Sequence, residues 1–203
     1  MDRDLAKVLV SREQIAKRVA ALGQRLALDL EADLARDGGS DSDGRIVLIP
    51  IMTGALVFAA DLIREMPLKL SLKLVAVSSY PGTSVTSKGA KLAGELPPDL
   101  AGKHVVVIDD ILDSGQTLGL VRELIEAQKP ASLRICVLLR KPSAARKREV
   151  AVDYIGFEIP DEFVVGYGLD YDGYYRNHPE IATLKASVAA PHAQPAPGTA
   201  RHP

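Results

Sequence analysis

The stretch of sequence that is most informative about the fold spans residues 105–117 and reads VVVIDDILDSGQT. Its first four residues are all apolar, as in a strand that is buried on both faces of a sheet. Two adjacent carboxylates follow, Asp109 and Asp110, and a turn of small residues then leads into a helix. In open α/β sheets, ligands bind beyond the carboxyl ends of the strands. This stretch therefore predicts an α/β sheet with a ligand site at its carboxyl edge.

The turn at residues 113–117 has the chemistry of a phosphate-binding loop. It offers successive backbone N–H groups, the hydroxyls of Ser114 and Thr117, and a glycine, Gly115, that lets a ligand approach closely. The helix that follows adds the partial positive charge of its N-terminus. We therefore expect a phosphate group to bind at this turn.

The two carboxylates before the turn need a separate explanation, because Asp109 and Asp110 would repel a phosphate. Carboxylates at such a place can accept hydrogen bonds from sugar hydroxyls or help to hold Mg²⁺. A pair of aspartates at a strand end often does no more than face solvent. Attached to a phosphate-binding turn, however, the pair favours a site for a ribose 5-phosphate.

The segments on either side predict the rest of the fold. A capping box, Ser11 with Gln14, opens a long amphipathic helix that ends at residues 37–39. Further helices are predicted at residues 56–66 and 118–127, and strands at residues 46–51, 72–77, 104–108, 133–139, 150–155 and 163–165. Helices that alternate with solid apolar strands indicate an α/β fold with a mostly parallel sheet flanked by helices on both faces.

Length and charge limit the possible organisation and partners. The chain has 203 residues, of which 47% are hydrophobic and 25% charged. This suits a single α/β domain, which we place at residues 1–188. A tail at residues 189–203, rich in Ala, Pro, His and Gly, is expected to be disordered. The net charge of −1 excludes a global attraction to nucleic acids or anionic membranes, so an anionic ligand needs a local site.

The cysteine content and the N-terminus bear on cellular location. The one cysteine, Cys136, lies in an apolar run, which favours a buried strand residue and excludes an intramolecular disulfide. The first residues are polar and lead into no signal-peptide core, and no apolar run approaches membrane-spanning length. We therefore expect a cytoplasmic protein.

Two further segments are unusual in composition. Residues 78–88 are rich in Ser, Thr, Gly and Pro, which predicts a mobile loop. Seven of the nine aromatic residues lie between Tyr154 and Tyr175. This concentration leaves two interpretations, a small aromatic core or a platform that stacks a planar ligand.

Several of these segments resemble a known family. Residues 108–117 resemble the phosphoribosyl pyrophosphate motif of the phosphoribosyltransferases, two acidic and two apolar residues before Asp-Ser/Thr-Gly-x-Thr. Residues 156–177, which begin GFEIPDEFVVGYGLDY, resemble the C-terminal signature of the hypoxanthine/guanine phosphoribosyltransferases. Shorter likenesses lie in the same order at residues 8–11, 54–62, 78–80 and 138–142. The resemblance implies the type I phosphoribosyltransferase fold, with a small hood formed by the N- and C-terminal segments.

The resemblance also implies a role for each matching residue around a purine base. Phe163 would stack on the base, and the backbone at Val164 would meet the edge that carries the amino group of guanine. Lys141 would donate to the 6-oxygen. Because an ammonium group only donates hydrogen bonds, it favours a 6-oxo purine over adenine. Asp113 would act as general base or proton relay beside the imidazole nitrogens of the purine.

The remaining site residues are implied to hold phosphoribosyl pyrophosphate. The 5-phosphate would bind to Ser114, Gly115, Gln116 and Thr117. Asp109 and Asp110 would hold the ribose hydroxyls and, with Asp170, would bind the cofactor Mg²⁺. The residues implied for the pyrophosphate and the mobile loop are Thr53, Gly54, Ser79, Tyr80 and Arg176.

Two positions depart from the family pattern. Thr53 stands where many relatives carry a lysine, and Gln116 stands where some do, so positive charge is missing at both places. In the family, the peptide that enters the first of these positions can be a cis bond that does not involve proline. Here that peptide is Met52–Thr53.

The implied reaction is purine salvage, the conversion of hypoxanthine and/or guanine with phosphoribosyl pyrophosphate to IMP or GMP and pyrophosphate. Mg²⁺ would neutralise the leaving pyrophosphate, and closure of residues 78–88 would exclude water. The expected partners are these small molecules, with no nucleic acid and no membrane. The resemblance also implies a homodimer or homotetramer.

Two alternatives belong to other functional classes. An RNA-binding regulator of pyrimidine genes, with the same fold and weak uracil activity, would need a basic surface, whereas Lys141 and residues 146–148 form only a short basic cluster. A phosphotransferase of the dehalogenase type would use Asp109 or Asp113 as a nucleophile. Its motif places two aspartates two residues apart before a threonine, and the spacing here does not match.

Overall fold

The structure is a computed structural model that describes residues 1–39, 44–78, 91–92 and 96–189. Its helices are α1 (Arg12–Arg36), α2 (Leu56–Arg64), α3 (Gln116–Glu126) and α4 (Ala186–Ala189). Its strands are β1 (Leu5–Val10), β2 (Ile46–Met52), β3 (Ser71–Leu72), β4 (Val75–Ser78), β5 (Lys91–Leu92), β6 (His104–Leu112), β7 (Ser132–Arg140), β8 (Tyr154–Glu158), β9 (Val164–Val165) and β10 (Ile181–Leu184). Short 3₁₀ turns lie at Asp2–Asp4 and Ser143–Ala145.

The main sheet has the strand order β5-β4-β2-β6-β7-β8, and β3 also pairs with β2. All of these pairings are parallel except that of β4 with β5. The pairing of β6 with β7 runs from His104 beside Ser132 to Leu112 beside Arg140. The predicted mostly parallel sheet is therefore confirmed, with β6 in its interior.

Successive residues of β6 face opposite sides of this sheet. Val106 and Ile108 pack on the layer that contains α1 and α2, whereas Val105 and Val107 pack on the layer that contains α3. All four side chains are fully buried. Helices thus cover both faces, which explains why the strand sequences are solid apolar runs and do not alternate with polar residues.

Helix α1 begins at the predicted capping box. The Ser11 hydroxyl accepts a hydrogen bond from the Gln14 backbone at 3.3 Å, and the Gln14 side chain accepts one from the Ser11 backbone at 2.8 Å. The buried face of the helix follows the predicted spacing, with Ile15, Val19, Leu22, Leu26, Leu30 and Leu34. Arg18 donates to the carbonyls of Ile155 and Gly156 at 2.7 and 2.8 Å, which attaches α1 to the edge strand β8.

The terminal segments form a second, antiparallel sheet with the order β1-β10-β9, which confirms the expected hood. The sequence did not predict β1 or β10 as strands. β1 is mostly exposed, so it lacks an alternating pattern, and the four residues of β10 are too few for a period to show. The hydroxyl of Tyr167 donates to Asp61 at 2.6 Å and so joins the hood to α2.

Three predicted strands have different limits in the structure. β6 continues through Asp109 and Asp110 to Leu112, because β7 offers it backbone partners as far as Arg140. The strand predicted at residues 72–77 is divided into β3 and β4, both parallel to β2. The strand predicted at residues 150–155 begins only at Tyr154, because its pairing with β7 starts there, beside Cys136.

The predicted tail and loop lie largely beyond the described ranges. Ala189, the first residue of the predicted tail, is the last residue of α4, and residues 190–203 lie outside the described residues. The predicted mobile loop is described only at Ser78, where β4 ends. Among the helices that the structure describes, none is long and apolar enough to span a bilayer.

Candidate active site

Most of the predicted site residues that the structure describes lie where the main sheet meets the hood. The parallel strands β2, β6 and β7 all have their carboxyl ends at this edge. Two adjoining cavities open there, and both are lined by Asp110, Ile111 and Asp113. The end of β6 and the residue after it therefore form the wall that the two cavities share.

The first cavity, of 270 Å³, surrounds the phosphate-binding turn. The rest of its lining is Ile51, Met52, Gly54, Val77, Leu112, Leu118, Asp109, Ser114, Gly115 and Thr117. Gly115 is the N-cap of α3 and has a φ of 77°, in the left-handed region that favours glycine. The structure thus places the N-terminus of a helix, two hydroxyl residues and a glycine around one cavity, as the phosphate prediction requires.

The second cavity, of 210 Å³, has an aromatic wall. Its remaining lining is Lys141, Phe163, Val164, Leu169 and Asp170. Phe163 is 55% exposed, and the ring of Tyr171 packs edge-on against it with the ring centroids 5.6 Å apart. A neighbour that packs edge-on supports a ring without covering both faces, so Phe163 is free to stack on a planar ligand.

The aromatic cluster of the sequence therefore divides between its two interpretations. Tyr154 and Tyr167 are buried, and their hydroxyls donate to Asp29 and Asp61 at 2.7 and 2.6 Å. These two tyrosines belong to the core. Phe163, in contrast, stands at the cavity.

Lys141 follows β7 and reaches the second cavity from a buried position. Its Nζ lies 3.6 Å from Oδ2 of Asp113 and 3.2 Å from Oδ1 of Asp161. Lys141, predicted to recognise the purine, and Asp113, predicted to be the general base, therefore lie side by side. Asp161 is a site residue that the sequence analysis did not single out, although it stands two residues before Phe163 in the C-terminal signature.

Asp109 and Asp110 bring an excess of negative charge into the site. Burial raises the pKa of Asp109 well above its ordinary value, and the adjacent Asp110 raises it further. Burial also raises the pKa of Asp110, although hydrogen bonds and the charge of Arg176 act in the opposite direction. Two adjacent buried carboxylates are stabilised by a ligand that donates hydrogen bonds, as ribose hydroxyls do, or by a cation.

Gly54 follows the peptide Met52–Thr53, which is cis, as the family resemblance allows. A Cβ on Gly54 would overlap the carboxylate of Asp110. The carbonyl of Gly54 packs closely on Gly168 of the hood, and a Cβ on Gly168 would overlap this carbonyl. The segment after β2 is therefore held between Asp110 and the hood.

Asp170 and Arg176 are paired in the hood. Nη2 of Arg176 lies 2.6 Å from Oδ1 of Asp170, and its Nη1 donates to the carbonyl of Gly168 at 2.6 Å. Oδ2 of Asp170 accepts from the Gly173 backbone at 2.8 Å. Asp170 lines the second cavity, whereas Arg176 lines a separate cavity of 590 Å³ beside α2. Arg176 is therefore linked to the second cavity by its ion pair with Asp170, and its positive charge lowers the pKa of Asp110.

The other predicted residues are less closely tied to the cavities. Thr53 is exposed, and neither Thr53 nor Gln116 lines either of the two cavities. Ser79 and Tyr80 lie outside the described residues.

The carboxylates of the site fit a Mg²⁺ ion that is also held by water and by substrate phosphates. Within the described ranges, no three His, Cys, Asp or Glu side chains are grouped so that they could hold a metal ion by themselves. Mg²⁺ usually keeps several waters and binds to proteins through one or two carboxylates together with substrate phosphates. Asp110 and Asp170, which line the same cavity, offer such a pair of carboxylates.

Three of the four residues in the basic cluster that the RNA-binding alternative needs, Lys141, Arg146 and Arg148, form ion pairs. Besides the pairs of Lys141, Nη1 of Arg146 lies 3.1 Å from Oε2 of Glu149, and Arg148 is paired with Glu123. Carboxylates therefore neutralise these three charges, and what is left of the cluster is too small for the basic patch by which proteins bind RNA. The structure does not support this alternative.

Comparisons with known proteins agree with this geometry. The sequence profile of the family described as the phosphoribosyl transferase domain matches residues 12–172. The chain is 41% identical over 186 residues to a hypoxanthine-guanine phosphoribosyltransferase of Mycobacterium avium, across 91% of this chain and 88% of that protein. It is also 41% identical over 178 residues to the hypoxanthine phosphoribosyltransferase of Escherichia coli K12, across 88% of this chain and 94% of that protein.

The fold is likewise similar to that of solved structures. The structure of a hypoxanthine phosphoribosyltransferase from Staphylococcus aureus superposes with a TM-score of 0.81 at 38% sequence identity, across 93% of this chain and 96% of that chain. The chain belongs to the hypoxanthine-guanine phosphoribosyltransferase family of enzymes.

Proposed function

We propose that this chain transfers the ribose 5-phosphate group of phosphoribosyl pyrophosphate to hypoxanthine and/or guanine, to form IMP or GMP and pyrophosphate. The observation that carries this proposal is the pair of cavities that meet at Asp110, Ile111 and Asp113. One cavity contains a phosphate-binding turn, and the other contains an exposed aromatic ring beside a buried ammonium group. The names of the relatives, which are purine phosphoribosyltransferases, support the same reaction.

In this reaction, the bond between ribose C1 and the pyrophosphate oxygen breaks, and its electron pair leaves with the pyrophosphate. The lone pair of purine N9 forms the new bond to C1. We assign to Asp113 the acceptance of the proton that the purine loses, because this carboxylate stands between the two cavities. Lys141 donates to the 6-oxygen, which orients the base. Holding both reactants in adjoining cavities contributes further, because it removes much of the entropic cost of their encounter.

We propose Mg²⁺ as the cofactor, held by Asp170 and by Asp110 with Asp109, together with oxygens of the substrate. When it is bound, it would neutralise negative charge on the departing pyrophosphate. The support for this assignment is the hard oxygen donors at the second cavity and the buried, adjacent carboxylates beside them.

We also propose a cytoplasmic enzyme that is a homodimer or homotetramer. The one cysteine, Cys136, is a buried free thiol, which suits a reducing compartment. The family resemblance supports an oligomer, and light scattering on the purified protein measures its size directly.

The first experiment is an ultraviolet assay with phosphoribosyl pyrophosphate, Mg²⁺ and, in turn, hypoxanthine, guanine, xanthine and adenine. We expect turnover of 6-oxo purines and weak turnover of adenine, because Lys141 only donates hydrogen bonds. Asp113→Asn should lower kcat by about 10²–10⁴-fold, because it removes a general base at nearly constant shape.

Asp99→Asn is the matched control for this substitution. Asp99 is exposed, lines neither cavity and has a φ of 65°, a conformation that asparagine also adopts readily. This variant should keep full activity. The absence of turnover with every purine would contradict the proposed reaction and direct attention to uracil and RNA.

A further inference from the structure

A short basic segment packs against the phosphate-binding turn from outside the cavity. We name residues 146–148, which lie in the connection between β7 and β8, the strap. The backbone N–H groups of Lys147 and Arg148 both donate to the carbonyl oxygen of Ser114, at 3.0 and 3.1 Å. Two donors from the strap therefore converge on a single acceptor of the turn.

These two hydrogen bonds determine the direction of the next backbone group. In a planar trans peptide, the carbonyl oxygen and the following N–H point in opposite directions. Because the Ser114 oxygen points to the strap, the N–H of Gly115 points away from the strap. Gly115 lines the first cavity, so its N–H is directed to the side where a phosphate would bind.

Without the strap, this peptide would be easy to rotate. Gly115 has a positive φ, and glycine has access to both signs of φ at little cost. A rotated Ser114–Gly115 peptide would direct a carbonyl oxygen into the cavity, where it would repel a phosphate. The hydrogen bonds from the strap oppose this rotation.

The side chain of Arg148 holds the strap in place. It lies directly across Gly119 in the first turns of α3, where a Cβ would overlap its guanidinium group. It also forms an ion pair with Glu123 of the same helix. The carbonyl of Arg148 packs so closely on Gly115 that a Cβ there would overlap it.

The other end of the strap is fixed by Arg146. Its side chain is only 10% exposed, and its Nη1 lies 3.1 Å from Oε2 of Glu149. Its Nη2 donates to the carbonyl of Lys141 at 3.2 Å. The strap is therefore attached to α3 at one end and to the residue that lines the purine cavity at the other.

We propose that the strap is a positioning device for 5-phosphate recognition, in which Arg148 keeps the Ser114–Gly115 peptide oriented so that its N–H faces the phosphate. Arg148 is a positioning residue, because it acts through the turn and does not touch the substrate. This inference rests on the proposed function, since it requires that the turn bind the 5-phosphate.

The test compares the binding of IMP and inosine, which differ only in the 5-phosphate, by titration calorimetry. In Arg148→Ala, we expect the Kd of IMP to rise about tenfold. A change of this size corresponds to the loss of one hydrogen bond to a charged group, here the bond from the Gly115 N–H to the phosphate. The Kd of inosine should change less than about twofold, because the purine cavity is intact. Arg148→Lys should restore part of the difference, since its stem can lie across Gly119 and its ammonium can reach Glu123.

Gly119→Ala tests the same contact from the other side. Alanine is a better helix former than glycine, so this substitution should not unfold α3, yet its Cβ must displace Arg148. We expect it to weaken IMP binding in the wild-type background and to have no effect in the Arg148→Ala background, where no side chain is left to displace. Arg25→Ala, which removes an exposed arginine of α1 with an ion pair to Asp29 at 3.0 Å, is the control and should leave both affinities unchanged.

The outcomes separate the two proposals. If the wild-type protein binds inosine as tightly as IMP, the turn does not bind phosphate, and both the proposed function and the role of the strap are wrong. If the wild-type protein prefers IMP and Arg148→Ala keeps the full preference, only the role of the strap is wrong. Equal weakening of IMP and inosine would also contradict it, because that result indicates a general structural role.

Discussion

At the scale of single residues, the site depends on glycines that let neighbouring groups approach closely. Gly54 packs on the carboxylate of Asp110, and Gly115 packs on the carbonyl of Arg148; a Cβ at either position would overlap its neighbour. Gly115 also has a positive φ, whereas Gly54 does not. At Gly54, therefore, the reason for glycine is space alone.

Replacing Gly54 by alanine should displace Asp110, whose side chain lines both cavities. We expect kcat/KM for phosphoribosyl pyrophosphate to fall by about a hundredfold, because small displacements of positioning groups have effects of this size. Steady-state kinetics with the pyrophosphate substrate varied at saturating hypoxanthine measures the change.

Gly102→Ala is a suitable control for the effect of an added methyl group. Gly102 has a φ of 68°, and a Cβ added there would meet no atom within 4 Å, so alanine should lower stability without changing the kinetics. Normal kinetics in Gly54→Ala would show that the enzyme tolerates a displaced Asp110. The position of Asp110 would then be less important for catalysis than the packing indicates.

At the scale of elements, a buried polar network attaches the end of α1 to the beginnings of β6 and β7. Asp33 of α1 accepts hydrogen bonds from the Ser132 hydroxyl at 3.3 Å and from Arg134. Nδ1 of His104 lies 2.9 Å from the same hydroxyl, and its Nε2 lies 3.3 Å from Oδ2 of Asp37. This network lies at the edge of the sheet opposite the active site, so it affects stability and does not take part in the chemistry.

The network makes stability depend on pH. Burial opposes the charge of Asp33, but the hydrogen bond and charge of Arg134 outweigh burial and hold the pKa of Asp33 below its ordinary value of 3.8. Burial lowers the pKa of His104 below its ordinary value of 6.5, against the opposing effect of Asp33 and Asp37. Both groups therefore bind protons more readily in the unfolded chain, and the folded state loses stability as the pH falls.

We expect the thermal midpoint to decline as the pH falls below 6.5, through protonation of His104, and to decline again below 3.8, through protonation of Asp33. His104→Gln should remove the contribution of His104 to the first decline and keep the second, because of these two groups only the histidine titrates in the upper range. Scanning calorimetry of both proteins across this range measures the two slopes. An unchanged first decline in His104→Gln would assign it to a different group.

At the scale of the whole molecule, Cys136 reports on the integrity of the sheet. Its side chain is fully buried in β7 between β6 and β8. Burial raises the pKa of the Cys136 thiol to about 12, so very little of the reactive thiolate exists at neutral pH. The prediction of a buried strand cysteine is confirmed.

We expect a thiol reagent such as iodoacetamide to modify Cys136 only when the main sheet unfolds. The native protein at pH 8 should react far more slowly than the protein in denaturant, and the rate should rise with the population of the unfolded state. Mass spectrometry after timed exposure measures the modification. Rapid modification in the native state would show that β7 opens locally, without unfolding of the whole sheet.

The fold could be predicted to the extent that its signals are local. Residues 105–108 are apolar without interruption because helices cover both faces of the strand, and Ser11 with Gln14 marks the start of α1 within four residues of sequence. The hood strands β1 and β10 could not be predicted in this way. Each is short, and what makes it a strand is its pairing with the other, from Leu5 beside Leu184 to Val10 beside Ile181.

The candidate site also has parts that could be predicted from local sequence and parts that could not. The turn at residues 113–117 carries its chemistry in five consecutive residues, and the family resemblance assigned Lys141 and Phe163 from short motifs. The partners of these residues come from elsewhere. Asp161 meets Lys141 across 20 positions of sequence, and the strap meets Ser114 across more than 30.

The class of fold, the phosphate-binding turn and the family could be read from the amino-acid sequence, because each is carried by residues that follow one another along the chain. The folded structure was needed to show that the two cavities share the wall around Asp110 and Asp113, that Gly54 leaves space for a carboxylate, and that Arg148 supports the turn from outside. These features depend on contacts between distant segments. Such contacts are set by the packing of strands and helices in three dimensions, and the local pattern of residue types does not specify them.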